Sequence, residues 1–152
     1  ESYADLVSIR EATDEDMSYV RSSWMQSAHR FEESKVFLAS HGKRPPWQIW
    51  RALFPAVMDA LLKRSKCFVA CANDATDVII GYAIVEQGDP FVVHWCQVKQ
   101  DAWRRGVARK LMTELGVTKQ TAVVYTNTSP FLQHYRPAGW SYVPMWLARG
   151  IK

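Results

Sequence analysis

The chain has 152 residues, 48% of them hydrophobic and 22% charged, with a net charge of +4 and a pI near 9.1. That length favours one domain with a real core, and that balance excludes a disordered chain. No apolar run approaches the roughly 20 residues of a membrane-spanning helix, and the opening Glu1-Ser2-Tyr3-Ala4-Asp5 lacks the pattern of a secretory signal. A cytoplasmic chain with no membrane partner is expected.

The basic balance suits an anionic ligand, either a nucleotide cofactor or nucleic acid. The basic residues are spread along the chain and no recognised nucleic-acid motif is present, which disfavours nucleic acid. The cysteines, Cys67, Cys71 and Cys96, are odd in number and lack metal-type pairing. They read as buried free thiols in a reducing compartment, with no metal expected. Seven tryptophans are too many for one small core, so some should line a pocket or an interface.

In chain order, residues 7–10 read as a first strand. Thr13 or Asp14 caps a helix whose first turn holds Asp14, Glu15 and Asp16. Met17, Val20, Trp24 and Ala28 recur at helical spacing, and the helix should end near His29 or Arg30. Residues 31–47 are irregular, with Pro45 and Pro46 stopping any helix across them. A second helix is predicted over 48–64, kinked or split at Pro55. Runs of β type follow at 66–72, at 78–85 (broken by Gly81) and at 91–98. They read as an antiparallel meander with turns at Asn73-Asp74 and Gly88-Asp89-Pro90. A polar turn leads into a helix carrying Val107, Ala108, Leu111, Met112 and Leu115, stopped at Gly116. Residues 122–125 read as a fourth run of the meander series. Ser129-Pro130 starts a short helix ending near Tyr135 or Arg136, and 140–147 reads as a last strand. The order β-α-α-β-β-β-α-β-α-β gives one α+β domain over residues 1–152.

The segment most able to carry chemistry is Trp103-Arg104-Arg105-Gly106-Val107-Ala108. A strand ends, a polar turn follows and a helix begins at a glycine. The first N–H groups of a helix lack internal partners, and the dipole places partial positive charge there. A phosphate fits such a place, and Gly106 lets it approach the backbone. Arg104, Arg105, Arg109 and Lys110 add charge around it. The alternative is a plain helix start with solvated basic residues.

This segment resembles motif A of the GNAT superfamily of N-acetyltransferases, with pattern Gln/Arg-x-x-Gly-x-Gly/Ala. Gly106 and Ala108 fill the glycine place and the final place. Val98 fits the apolar residue ending the family's central strand eight places earlier. Trp103 departs, standing where the family has Gln or Arg. The resemblance continues through Asn127 and Tyr135-Arg136-Pro137-Ala138-Gly139-Trp140, and through the opening 8–16. It implies a mixed, mostly antiparallel twisted sheet of about six to seven strands flanked by about four helices.

The resemblance also implies direct transfer of acetyl from acetyl-CoA (coenzyme A) to a primary amine. Tyr135 would be the general acid for the CoA sulfur, and the backbone N–H of Val98 the oxyanion donor. His94 is the candidate base, placed by even spacing on Val98's face of the strand, with Glu86 its competitor. Cys96, Gln97 and Val98 would line the pantetheine path, and Trp103, Arg104, Arg105, Gly106, Val107, Ala108 and Arg109 the phosphate turn. Asn127 would hold pantetheine or cap the following helix. Two other functions stay open: an acyl-CoA-binding regulatory or structural domain without catalysis, and a nucleic-acid-associated protein. Homodimers are common in the family, and the run 140–147 offers a surface for one. The acceptor is not legible; residues 30–50 would shape its pocket.

Overall fold

The β-branched and aromatic run Phe91–Val98 forms the central strand, with neighbours on both sides. In this computed structural model, which describes residues 2–30, 45–127 and 140–143, six strands stand in the order β1-β2-β3-β4-β5-β6. They are β1 (Val7–Glu11), β2 (Lys66–Ala72), β3 (Ala75–Glu86), β4 (Phe91–Val98), β5 (Val123–Tyr125) and β6 (Trp140–Tyr142). Three helices are described: α1 (Asp14–Arg30), α2 (Trp47–Leu62) and α3 (Val107–Glu114). The short helix expected after Ser129 lies outside the described residues, as does the end of the last run beyond 143.

β2, β3 and β4 pair antiparallel in sequence order, as the meander pattern predicts, and β1 pairs antiparallel with β2 on the far side. The run at 122–125 does not continue that meander. β5 pairs parallel to β4, through Phe91↔Val123, Val92↔Val124 and Val93↔Tyr125. The cause is α3, which carries the chain back to the starting end of β4; a parallel neighbour needs such a crossover. β6 then joins β5, also in parallel. The sheet is therefore mixed.

Gly81 does not break its strand. It faces Val98 in the β3–β4 register, and a Cβ there would meet the Gln97 carbonyl oxygen at 2.8 Å. The missing side chain lets the end of β4 lie close against β3.

Helices cover both faces. On one, α3 buries Val107, Leu111 and Met112 against Ala83, Val93, Cys96, Val98 and Tyr125. On the other, α1 and α2 bury Val20, Trp24, Trp50, Phe54 and Met58 against Val69, Tyr82, Ile84 and Trp95. Trp50 stacks on Phe54 with centroids 4.5 Å apart. Three of the seven tryptophans thus fill this second core, Trp24, Trp50 and Trp95, while Trp103 is exposed. All three cysteines are buried and free, and burial pushes the Cys67 thiol up to about 12. Among the described residues no helix is long and apolar enough to cross a membrane. None of their His, Cys, Asp and Glu side chains group to hold a metal ion.

α1 begins on a reciprocal cap. The Thr13 N–H donates to Asp16 Oδ2 at 2.7 Å, and the Asp16 N–H reaches Thr13 Oγ1 at 3.4 Å. Arg10 of β1 closes on the same carboxylate at 2.6 and 3.1 Å. This ties the first helix to the edge strand.

Candidate active site

β4 pairs with β3 as far as Val98, but with β5 only as far as Val93. A last bond runs from the Thr126 N–H to the Val93 carbonyl. Beyond it the strands part, so the second half of β4 presents an edge with no strand beside it among the described residues. The alternation of antiparallel bonds fixes what that edge offers. The Lys99 N–H donates to the Ile80 carbonyl, so Val98, one residue earlier, forms the non-bonded pair with Gly81. Its own N–H and C=O point away from β3 into the opening.

From this edge the chain runs through a 3-10 turn, Gln100–Ala102, to Trp103. The Trp103 indole N–H donates back to the Val98 carbonyl at 2.6 Å. Arg104 takes φ 63° and Gly106 φ 85°, both left-handed. Two such residues in three turn the chain sharply, and α3 starts at Val107 with no side chain capping it. Its first-turn amides, beginning with those of Val107, Ala108 and Arg109, lack helix-internal partners. The positive end of the helix dipole therefore lies beside the open edge of β4. Arg104, Arg105 and Arg109 are exposed around it, with Arg105 over the Tyr3 ring at 5.4 Å. Lys110 is used differently: its ammonium donates to the Ala4 and Val7 carbonyls at 2.8 and 2.6 Å. It ties the helix to the start of β1.

The two candidate bases turn out to be partners. His94 is wholly buried, and its Nε2 lies 2.6 Å from Glu86 Oε2. Its Nδ1 lies 3.0 Å from Thr126 Oγ1. Arg64, just beyond α2, donates from Nε to the same Glu86 oxygen at 3.2 Å. The His94 hydrogen bond, with help from Arg64, holds the Glu86 carboxyl below its ordinary range. Burial pulls His94 down against the opposing pull of Glu86, so the ring is neutral near pH 7.

Even spacing does not put His94 beside Val98. Val85 pairs with Val93 but Ile84 pairs with Trp95, so His94 is an extra residue, a bulge, in β4. Residues 93 and 96, an odd number apart, consequently share the α3-side core.

Cys96 is fully buried in that core, where burial pushes its thiol up and keeps it protonated. The Gln97 side chain points to the other face. Its Oε1 accepts from the Tyr82 hydroxyl at 3.1 Å and from the Trp95 indole at 3.0 Å. There Gln97 joins Tyr19, Ser22, Ser23, Gln26, Ser27 and Arg30 of α1 around a cleft of about 260 Å³. Asn127 is buried just past β5. Tyr135 lies outside the described residues. Reading the sequence alone missed Arg64 and Thr126; nothing local to either marks it as a partner of His94 or Glu86.

An open strand edge thus lies beside an uncapped helix N-terminus in this α+β domain. The chain belongs to the acetyltransferase (GNAT) family, whose model matches residues 12–116. Members of that family generally use acetyl-CoA and an amine acceptor. No curated protein matches the sequence significantly. Among solved structures, the chain is similar to a protein from Corynebacterium glutamicum described as histone acetyltransferase HPA2 and related acetyltransferase. That match has 15% identity and a TM-score of 0.48, over 71% of this chain and 68% of that one. An N-acetyltransferase from Staphylococcus aureus Mu50 matches at 18% identity and a TM-score of 0.40, over 72% of this chain and 63% of that one.

Proposed function

We propose that this chain is an N-acetyltransferase that moves acetyl from acetyl-CoA to a primary amine by direct attack in a ternary complex. The observation that carries this reading is the junction of two features. The parted edge of β4 at Val98 adjoins the uncapped N-terminus of α3 at Gly106. One accepts an extended amide chain as an added strand; the other accepts phosphate. Coenzyme A carries both groups in one molecule, and acetyl-CoA bound there would supply the thioester.

The residues then divide the work. The amides of Val107, Ala108 and Arg109 bind phosphate, with Arg104, Arg105 and exposed Trp103 around them. The Val98 N–H stabilises the oxyanion. Cys96, a small buried side chain, leaves room along the edge, and Asn127 lies where β5 ends. Tyr135, by its family position, protonates the departing sulfur, since a phenol keeps its proton near neutrality. The pair His94 and Glu86 accepts the proton of the amine. The cleft between α1 and Gln97 receives the acceptor.

Calorimetry with acetyl-CoA and with CoA, followed by thiol release over a panel of amines, tests the assignment. Both ligands should bind, and at least one amine should release thiol. Absence of binding by either ligand at high micromolar concentration would overturn it. Tyr135→Phe should lower turnover far more than acetyl-CoA affinity; an unchanged rate would remove Tyr135 from the mechanism.

A further inference from the structure

His94 has a partner on each ring nitrogen and no contact with solvent. A carboxylate only accepts, so Nε2 of the neutral ring carries the proton and donates it to Glu86. Nδ1 then holds a lone pair, and the Thr126 hydroxyl donates to it. Thr126 is also wholly buried, and its own N–H makes the last bond between β5 and β4. It therefore stands at the point where the two strands part. At the opposite end, the Glu86 side chain is 24% exposed. Three groups thus form a hydrogen-bonded chain from the residue at which the strands part to the partly exposed Glu86 carboxylate, through a bulge that takes His94 out of the regular strand alternation.

We propose that Thr126, His94 and Glu86 form a proton exit relay, with Thr126 the positioning residue that fixes the His94 tautomer and receives the proton at the open end. The inference rests on the acetyl transfer proposed above. As the amine nitrogen bonds to the acetyl carbon, one of its N–H bonds breaks and the proton passes to Thr126 Oγ1. The hydroxyl proton of Thr126 moves onto His94 Nδ1, leaving Thr126 neutral. The imidazolium gives up its Nε2 proton through the Glu86 carboxylate to water. One proton has left the amine and one has reached solvent. Among the described residues, the charged groups acting on His94 are Glu86 from β3 and Arg64 just beyond α2. A buried chain of ionisable groups contributes little net stability, whereas a route from site to surface serves general base catalysis.

Thr126→Val and Thr126→Ser of the full chain test this. The valine variant should bind acetyl-CoA as wild type does but lose roughly tenfold or more in kcat. The acid limb of its pH profile should also shift. The serine variant should retain most of the rate. A valine variant with wild-type kcat and pH profile would overturn the relay. Nitrogen NMR of His94 in the unaltered chain gives a readout independent of turnover and of any variant's folding. The relay requires the neutral ring to carry its proton on Nε2; a ring protonated on Nδ1 would overturn it. If wild type binds acetyl-CoA but acetylates no amine, the functional reading fails, and the NMR result still decides the wiring.

Discussion

The indole N–H of Trp103 donates to the carbonyl oxygen of Val98 at 2.6 Å. This bond spans the 3-10 turn and joins the last residue of β4 to the first residue of the turn that leads into α3. Arg104, immediately after Trp103, sits at φ 63°, which costs a non-glycine residue about 1–2 kcal/mol. A hydrogen bond of about 1 kcal/mol offsets part of that. Trp103→Phe keeps the ring bulk and removes the donor. It should weaken acetyl-CoA binding by about two- to tenfold and lower stability by about 1 kcal/mol. Calorimetry and urea unfolding measure the two; unchanged affinity would mean that the indole does not organise the turn.

Gly106 separates backbone strain from charge. Its φ of 85° is unfavourable for any side chain, but an added Cβ would meet only Ala4 Cβ, at 3.6 Å. Gly106→Ala should therefore cost about 1–2 kcal/mol of stability and leave acetyl-CoA binding largely intact. Gly106→Glu should cost no more, since a carboxylate at a helix N-terminus complements the dipole. It should nevertheless abolish acetyl-CoA binding by setting a negative charge against the phosphates. Equal binding losses in the two variants would show that the site fails through backbone strain alone.

The turn at Gly106 was legible because its information is local. Six consecutive residues hold the glycine, the small residue after it and the helix start. The antiparallel run of β2, β3 and β4 follows from β-rich segments separated by short turns, and the buried faces of α1 and α2 from helical spacing. The parallel placement of β5 was not legible, because it depends on the path of α3 rather than on residues 123–125. The bulge at His94 was not legible either: counting by twos from Val98 assumes an unbroken register. The partners of His94 lie 8 and 32 residues away in sequence, and Arg64 lies 22 from Glu86. Only the pairing of the strands brings them together.

That network makes the acid limb of the rate predictable in sign. His94 must be neutral to accept a proton, and its folded pKa lies below the ordinary 6.5, so the acid limb falls below that pH. Glu86 pulls this pKa up and Arg64 pushes it down. Glu86→Gln should therefore move the acid limb to lower pH and reduce kcat near neutrality by about ten- to a hundredfold. Arg64→Gln should move it to higher pH. Both His94 and Glu86 are depressed on folding, so each contributes stability that is present above its unfolded pKa and lost as pH falls. Initial rates from about pH 5 to 9 measure the limb; shifts of the same sign in both variants would take His94 out of the titration.

The α1 wall of the cleft proposed for the acceptor is anchored by a different ion pair. α1 carries Tyr19, Ser22, Ser23, Gln26, Ser27 and Arg30 to the cleft, and its first turn is fixed by Asp16 on Arg10 and Thr13. Hydrogen bonding from Arg10, then from Thr13, pulls the Asp16 carboxyl from 3.8 to about 2, against the cost of its burial. A depressed carboxylate contributes stability that is complete above its unfolded pKa and lost as pH falls through its folded pKa. Here that window runs from about pH 4 down to about pH 2. The shift corresponds to about 2 kcal/mol, and to about 1–2 once the partly exposed Arg10 is discounted for solvent screening. Asp16→Asn should lower unfolding stability by that amount near pH 7, and the gap to wild type should close near pH 2. Urea unfolding at the two pH values measures it. A gap that persists in acid would mean that Asp16 holds α1 through its hydrogen bonds to Thr13 and not through its charge.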